Sequence, residues 1–211
     1  MDNSKVRQGF IAALLEMDPK KIKKTIINIE MQVKKYNYWD KRILFYMSDA
    51  LTSQIQSGDE YEKLKKCVHA SVINYIEFPD DDRCYRKIRL CDVDTGEIYT
   101  DMFEIHIMEL KKLAKDTRTD IPIIRWMKFF NCKTREEFEN MKNIDEYIQE
   151  AYEELVKFSA NKENREEYKA REKILRDHYS FLMDTKRQGL KEGLEEGLKQ
   201  GLEQGLEQGI E

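Results

Sequence analysis

Cysteine is scarce in this chain and carries no pattern. Cys67, Cys84, Cys91 and Cys132 lie 17, 7 and 41 positions apart, with no Cys-x-x-Cys pair. That spacing argues against a zinc site and a disulfide framework, and reads as free thiols in a reducing cytosol. Three histidines (His69, His106 and His178) show no ligand spacing with one another or with the cysteines, so they read as packing or surface residues. No apolar run approaches ~18 residues, which excludes a membrane-spanning helix, and the start, MDNSKVRQGF, has no signal-peptide character. The expectation is a cytoplasmic protein. Glycine is concentrated in the tail, outside the strand–loop–helix context that a phosphate loop requires. No Ser/His/Asp or Cys/His set has a spacing that suggests nucleophilic catalysis.

Charge is what the chain has in abundance. Of 211 residues, 37% are charged and 40% hydrophobic, with a formal net charge of -4. A net negative protein does not coat nucleic acid non-specifically. The excess is local, however: residues 1–120 hold 21 basic and 21 acidic side chains, and the remainder 16 against 20. The front part can therefore carry a basic surface of its own. The length fits one domain with an appendage, and is enough to bury a real core.

Residues 4–17 place Val6, Phe10, Ala13, Leu14 and Met17 on one helical face, and Asp18-Pro19 ends the helix. The lysine run Lys20, Lys21, Lys23 and Lys24 follows, either a solvated loop or a contact to a DNA backbone. TIINIEMQV then alternates, with Ile27, Ile29 and Met31 on one side and Asn28, Glu30 and Gln32 on the other, which predicts a strand. Residues 39–57 return to helical spacing through Trp39, Ile43, Tyr46, Met47, Ala50 and Leu51. CVHASVINYIEF at 67–78 predicts a buried strand, and Asp80, Asp81 and Asp82 after Phe-Pro predict a turn rather than a metal cluster. KIRLCDV, a turn at Gly96 and IYTDMFEIHIMEL predict a β-hairpin. Beyond Leu110 the pattern is helical, over 121–131, 134–159 and about 163–188. In the tail, glycines 189, 193, 197, 201, 205 and 209 recur every fourth residue, each followed by Leu or Ile. Each glycine costs roughly 1 kcal/mol against alanine in a helix, so a lone helix there is marginal. Two readings stay open, a weak self-associating or partner helix and plain disorder.

These segments, in their order, resemble the recombination-promoting nuclease (transposase) family of the PD-(D/E)XK nuclease superfamily. The resemblance runs from FIAALLEMD, IINIEMQV and YWDKRILFYMSDALTSQIQSGDEY through KKCVHASVINYIEF and RKIRLCDVDTGEIYTDMFEIHIMEL. It continues over RWMKFF, AYEELVKFS and REEYKAREKILRDHYSFL to the repeat tail. It implies an α/β fold, a restriction-endonuclease-like mixed sheet flanked by helices, followed by a helical C-terminal region. The expected organisation is a shortened nuclease-like domain over 1–115, a helical region over 116–188 and the repeat tail over 189–211.

The resemblance also implies magnesium- or manganese-dependent cleavage of DNA. Glu30 then stands as metal ligand and Gln32 as water-orienting residue, since alternate strand residues face one way roughly 7 Å apart. Arg42, Tyr46 and Gln54 match the family's arginine- and tyrosine-rich helix, as site support or phosphate contacts; core-edge packing is the alternative for that helix. One element of the family pattern is missing. The first catalytic Asp belongs on a strand before E-x-Q, yet here KKIKKT runs straight into IINIEMQ. By comparison with the family's architecture, the resemblance implies that a segment on the order of 25–30 residues is missing, a length bounded by typical strands and turns. Asp18 sits in the helix-ending Asp-Pro and does not inherit the role; Asp40, Asp49 or another subunit remain as sources of a second carboxylate. The loss opens a sheet edge beside Glu30's strand. Three functional expectations follow: a metal-dependent DNA endonuclease of the transposase-associated type, a catalytically inactive remnant that acts as a regulator, or a non-functional gene relic whose product is only marginally folded. The remnant would bind DNA, or associate with itself or a full-length relative, through the tail or the open edge.

Overall fold

The computed structural model describes residues 3–22, 25–115, 120–141 and 143–209. Lys23 and Lys24 of the lysine run lie outside them. The chain divides into two compact units, 1–154 and 155–211.

The first unit is a mixed sheet with helices on both faces. Helix α1 (Ser4–Leu15) is capped by Asn3, whose side chain accepts from the Lys5 and Val6 amides, and ends in a left-handed Glu16. Strand β1 (Ile26–Gln32), helix α2 (Trp39–Thr52) and strand β2 (Cys67–Ile73) form a crossover unit, with β1 and β2 parallel. Parallel neighbours require such a crossover. β3 (Tyr85–Cys91) and β4 (Ile98–Glu109) form the expected hairpin, with Gly96 in its turn at φ 73, where a side chain would be strained. β4 pairs in parallel with β2, so the strand order is β1-β2-β4-β3 and β1 is an edge.

β2 is buried along its whole length. On one face Val68, Ala70 and Val72, with Met108 of β4, pack against Phe10 and Leu14 of α1. The same core takes in Ile124, Trp126 and Met127 of α3 (Pro122–Asn131), and Ile148 of α5 (Glu146–Ala160). Gly9 permits the close approach of α1 to α5, since a Cβ there would lie 2.3 Å from that of Tyr147. On the other face Trp39, Ile43 and Met47 of α2 cover Ile73 and Ile107. Burying these apolar faces is the main favourable term in the fold.

Three sequence expectations are corrected. Helix α2 stops at Thr52, short of the expected end at residue 57, and the Gln54 side chain beyond it takes the carbonyls of Ala50 and Lys65. The helix expected over 134–159 is two, α4 (Arg135–Met141) and α5, because Asp145 caps the amides of Tyr147 and Ile148 and starts a new helix. Tyr46, placed by its spacing in the apolar stripe of α2, is exposed at 44% and stands outside the core.

In the second unit the glycine repeat is helical: α6 (Lys162–Gln208) is one helix of 47 residues, capped by Asn161. Ion pairs at i,i+4 spacing, such as Glu167–Arg171 and Lys191–Glu195, run along it. Each adds a few tenths of a kcal/mol, so they only partly offset the glycines. Leu190, Leu194, Leu198, Leu202 and Leu206 are all exposed. No helix among the described residues is long and apolar enough to cross a membrane.

A buried ionic cluster ties β2, β3 and β4 together. Glu104 accepts from His106 Nε2 at 2.7 Å, Lys66 Nζ at 3.0 Å and Arg89 Nε at 2.5 Å. Burial pushes its carboxyl up, but those three hydrogen bonds outweigh burial and hold it well below the ordinary 4.5. Burial depresses His106 below its ordinary 6.5 despite the pull of Glu104, and Tyr85 completes the chain with its hydroxyl on His106 Nδ1 at 2.6 Å. A folded histidine with a depressed pKa costs stability once the unfolded form takes up its proton, as pH falls below 6.5. A depressed glutamate adds a loss of the same sign as pH falls below 4.5 and on through its folded value. The urea midpoint is therefore expected to be lower at about pH 5 than at about pH 7.5. An equal or higher midpoint at the acid pH would contradict the buried neutral histidine.

Candidate functional site

The polar face of β1 turns towards α2 and the interior. Ile29 and Met31, the apolar side, are exposed at 41% and 63%, while Gln32 is buried. The register sets Asn28 beside His69, Glu30 beside Ser71 and Gln32 beside Ile73. These polar groups tolerate the interior because they satisfy one another.

Arg42, one turn into α2, donates from Nη2 to Glu30 Oε2 at 2.6 Å, and Gln32 Nε2 donates to the same oxygen at 2.8 Å. The other end of the Gln32 amide accepts from the Tyr75 hydroxyl at 3.2 Å. Burial pushes the Glu30 carboxyl up, but the bonds from Arg42 and Gln32 together with the Arg42 charge hold it below 4.5. Tyr75 is pushed up to about 12, first by burial and then by the charge of Glu77. Alongside, Asn28 Nδ2 donates to His69 Nδ1 at 3.2 Å. The proton of this imidazole then resides on Nε2, which lies 2.7 Å from Ser71 Oγ. Burial depresses the His69 pKa and keeps the ring neutral.

Of the five residues singled out from the sequence, Glu30, Gln32 and Arg42 come into direct contact. Tyr46 lies one helical turn beyond Arg42, and its ring meets that of Phe45 at 5.7 Å. Gln54 is elsewhere: it bonds Ala50, Lys65 and Cys67, four register positions from Glu30 along β2. Asp40 and Asp49, at the two ends of α2, are both exposed. Asn28, His69, Ser71 and Tyr75 were not identified as site residues from the sequence. For three of them the signal was present as polar residues at period two, in Asn28-x-Glu30-x-Gln32 and His69-x-Ser71. Lys20, from the lysine run, is exposed beside Asp18.

The donor set does not suit a resident magnesium ion. That cation takes octahedral oxygen ligands, usually with one or two carboxylates. Here the carboxylate at the site shares an oxygen with a guanidinium cation, and the Gln32 carbonyl oxygen is engaged by Tyr75. Among the described residues no group of three His, Cys, Asp or Glu side chains could hold a metal.

A family model described as PD-(D/E)XK nuclease family transposase matches residues 6–185. No curated protein and no solved structure matches the chain.

Replacing Arg42 with methionine removes the cation while keeping an apolar stem on α2. The Glu30 carboxyl is then expected to titrate at higher pH than in the parent chain, read by carbon NMR of the labelled carboxylate. An unchanged titration would mean that Arg42 does not hold the charge.

Proposed function

The chain belongs to the PD-(D/E)XK nuclease family transposases, and from that premise we propose that it engages DNA at the Glu30 end of β1 without cleaving it alone. The observation that carries this reading is Arg42, seated on Glu30 at 2.6 Å. Nuclease chemistry of this kind needs a hard cation beside the scissile phosphate, to stabilise charge and activate water. Here a protein cation compensates the carboxylate instead.

What remains suits phosphate binding. A guanidinium presents a planar fork of donors that matches phosphate oxygens. Arg42 is 37% exposed, so an incoming phosphate can compete with Glu30 for its outer donors. Gln32, held by Tyr75, braces Glu30 from below and so sets where Arg42 stands. Within the family we read the chain as the recombination-promoting nuclease type, on its ordered series of segments and its glycine-repeat tail. The internal deletion before E-x-Q belongs to the same reading: the strand that would carry the first Asp is lost. Cytoplasmic action fits a DNA target and cysteines that form no disulfide.

One observation favours a second reading, a magnesium- or manganese-dependent endonuclease completed by another chain. The Ile26 amide and the Gln32 carbonyl point to β2. The backbone groups of Ile27, Ile29 and Met31 therefore point outward, and among the described residues no strand pairs with them. A second copy, or a full-length relative, adding a strand there would bring its own carboxylates to the face of Glu30. The exposed leucines of α6 are a further route to self-association.

Supercoiled plasmid incubated with the purified chain and magnesium or manganese, beside Glu30→Ala, separates the readings. The expected outcome is retarded mobility of the DNA by both proteins, with no metal-dependent nicking by either. Nicking that requires the metal and disappears in Glu30→Ala would overturn the non-cleaving reading in favour of the second.

A further inference from the structure

Resting on the DNA reading above, we propose that the start of α2 and the loop before it form a stacking platform for unpaired bases, so that the preferred ligand is single-stranded or locally opened DNA. Tyr36, Tyr38, Phe45 and Tyr46 are all exposed, Tyr38 at 71% and Phe45 at 69%. None of them belongs to either core cluster, and the packing face of α2 is supplied by Trp39, Ile43 and Met47. Single exposed rings on a surface are ordinary. Here Tyr38 and Tyr36 lie against Lys41 and Arg42, and Phe45 and Tyr46 follow those two cations by one helical turn, which makes a patch.

Cations are threaded through this patch. Between residues 34 and 42 the chain carries Lys34, Lys35, Lys41 and Arg42 against one acid, Asp40, and from outside that stretch Glu77 pairs with Lys35 at 3.1 Å and Glu30 with Arg42 at 2.6 Å. Two of them stand over aromatic rings: Lys41 Nζ lies 5.0 Å from the Tyr38 centroid and the Arg42 guanidinium 5.5 Å from that of Tyr36. Arg42 thus joins the patch directly to Glu30. Tyr38 is held in the left-handed region at φ 61, an unfavourable conformation for a bulky residue and one characteristic of functional sites. Beside it a cavity of about 360 Å³ is lined by Lys35, Tyr36, Tyr38, Trp39 and Glu77 among others, within the size range of small-ligand pockets.

Aromatic faces interleaved with backbone-tracking cations are what a single strand needs. Every base has a face to stack, and the phosphates follow the cations. A duplex keeps its base faces covered by their neighbours, so rings exposed on a protein surface gain little from it. An apolar partner protein would have no use for the cations Lys41 and Arg42 seated over the rings.

The test is fluorescence anisotropy of the full chain with a labelled oligothymidylate of about 20 nucleotides and with a duplex of equal length, at one salt concentration. Tyr36→Ala, Phe45→Ala and the ring-keeping Tyr36→Phe are compared, with urea midpoints confirming that each is folded. The expected result is tighter binding of the single strand. Each alanine variant should weaken it by about tenfold, within the range for one lost stack, and Tyr36→Phe should hold it near the parent value. Duplex binding as tight as single-strand binding, or alanine variants that bind like the parent, would overturn the platform and leave the DNA reading standing. Absence of binding to both probes would overturn both. Self-association abolished by Phe45→Ala would reassign the patch to a protein contact and overturn the proposal.

Discussion

The parallel register of β1 on β2 is the constraint on which the site depends. Ile26 is paired with Cys67 and Gln32 with Ile73, so Asn28, Glu30 and Gln32 share a face with His69 and Ser71. Side chains alternate along a strand, and a slip of one residue would turn Glu30 and Gln32 to the opposite face. β2 cannot slip, because it is buried between two apolar cores. The edge strand thus inherits its geometry from the interior strand. The polar residues of β1 are held in place by bonds across that register, from Asn28 to His69 and from Gln32 to Tyr75.

Helix α2 does two jobs from one sequence. Its stripe of Trp39, Ile43 and Met47 docks on the sheet, and that docking aims Arg42 at Glu30. Phe45 and Tyr46, outside that stripe, contribute nothing to the core clusters and are available to a ligand. The ion pair between Arg42 and Glu30 couples the two: any group that draws Arg42 away leaves a partly buried carboxylate without its cation. Such a carboxylate is costly unless another positive charge arrives. The same physics that makes the lone site poor for magnesium would make it responsive to a completing chain.

Much of the fold could be read from periodicity. The β1 alternation, the buried β2, the glycine turn of the hairpin and α1 before Asp18-Pro19 all appear near where the pattern predicts them. What the pattern could not say was which side of β1 would be covered. Ile27 of the apolar side does pack against the core on the α1 face, but Ile29 and Met31 beyond it are exposed, while α2 covers the polar side. Period alone does not choose between faces when polar residues can satisfy one another across the register. Tyr46 was misread because helical spacing admits it to the stripe, although Ile43 and Met47 already fill the contact. The contact between Glu30 and Arg42 is likewise invisible in sequence, since it joins a strand to a helix through tertiary packing. The helical tail was out of reach of propensity, which sets six glycines against it.

The central claim is that a protein cation, and not a metal, balances Glu30 in the isolated chain. Manganese binding to the purified protein, followed by paramagnetic resonance of the free ion, tests it most directly. The account predicts no saturable binding that depends on Glu30, so the parent chain and Glu30→Ala give the same titration. A saturable site present in the parent and lost in Glu30→Ala would contradict it.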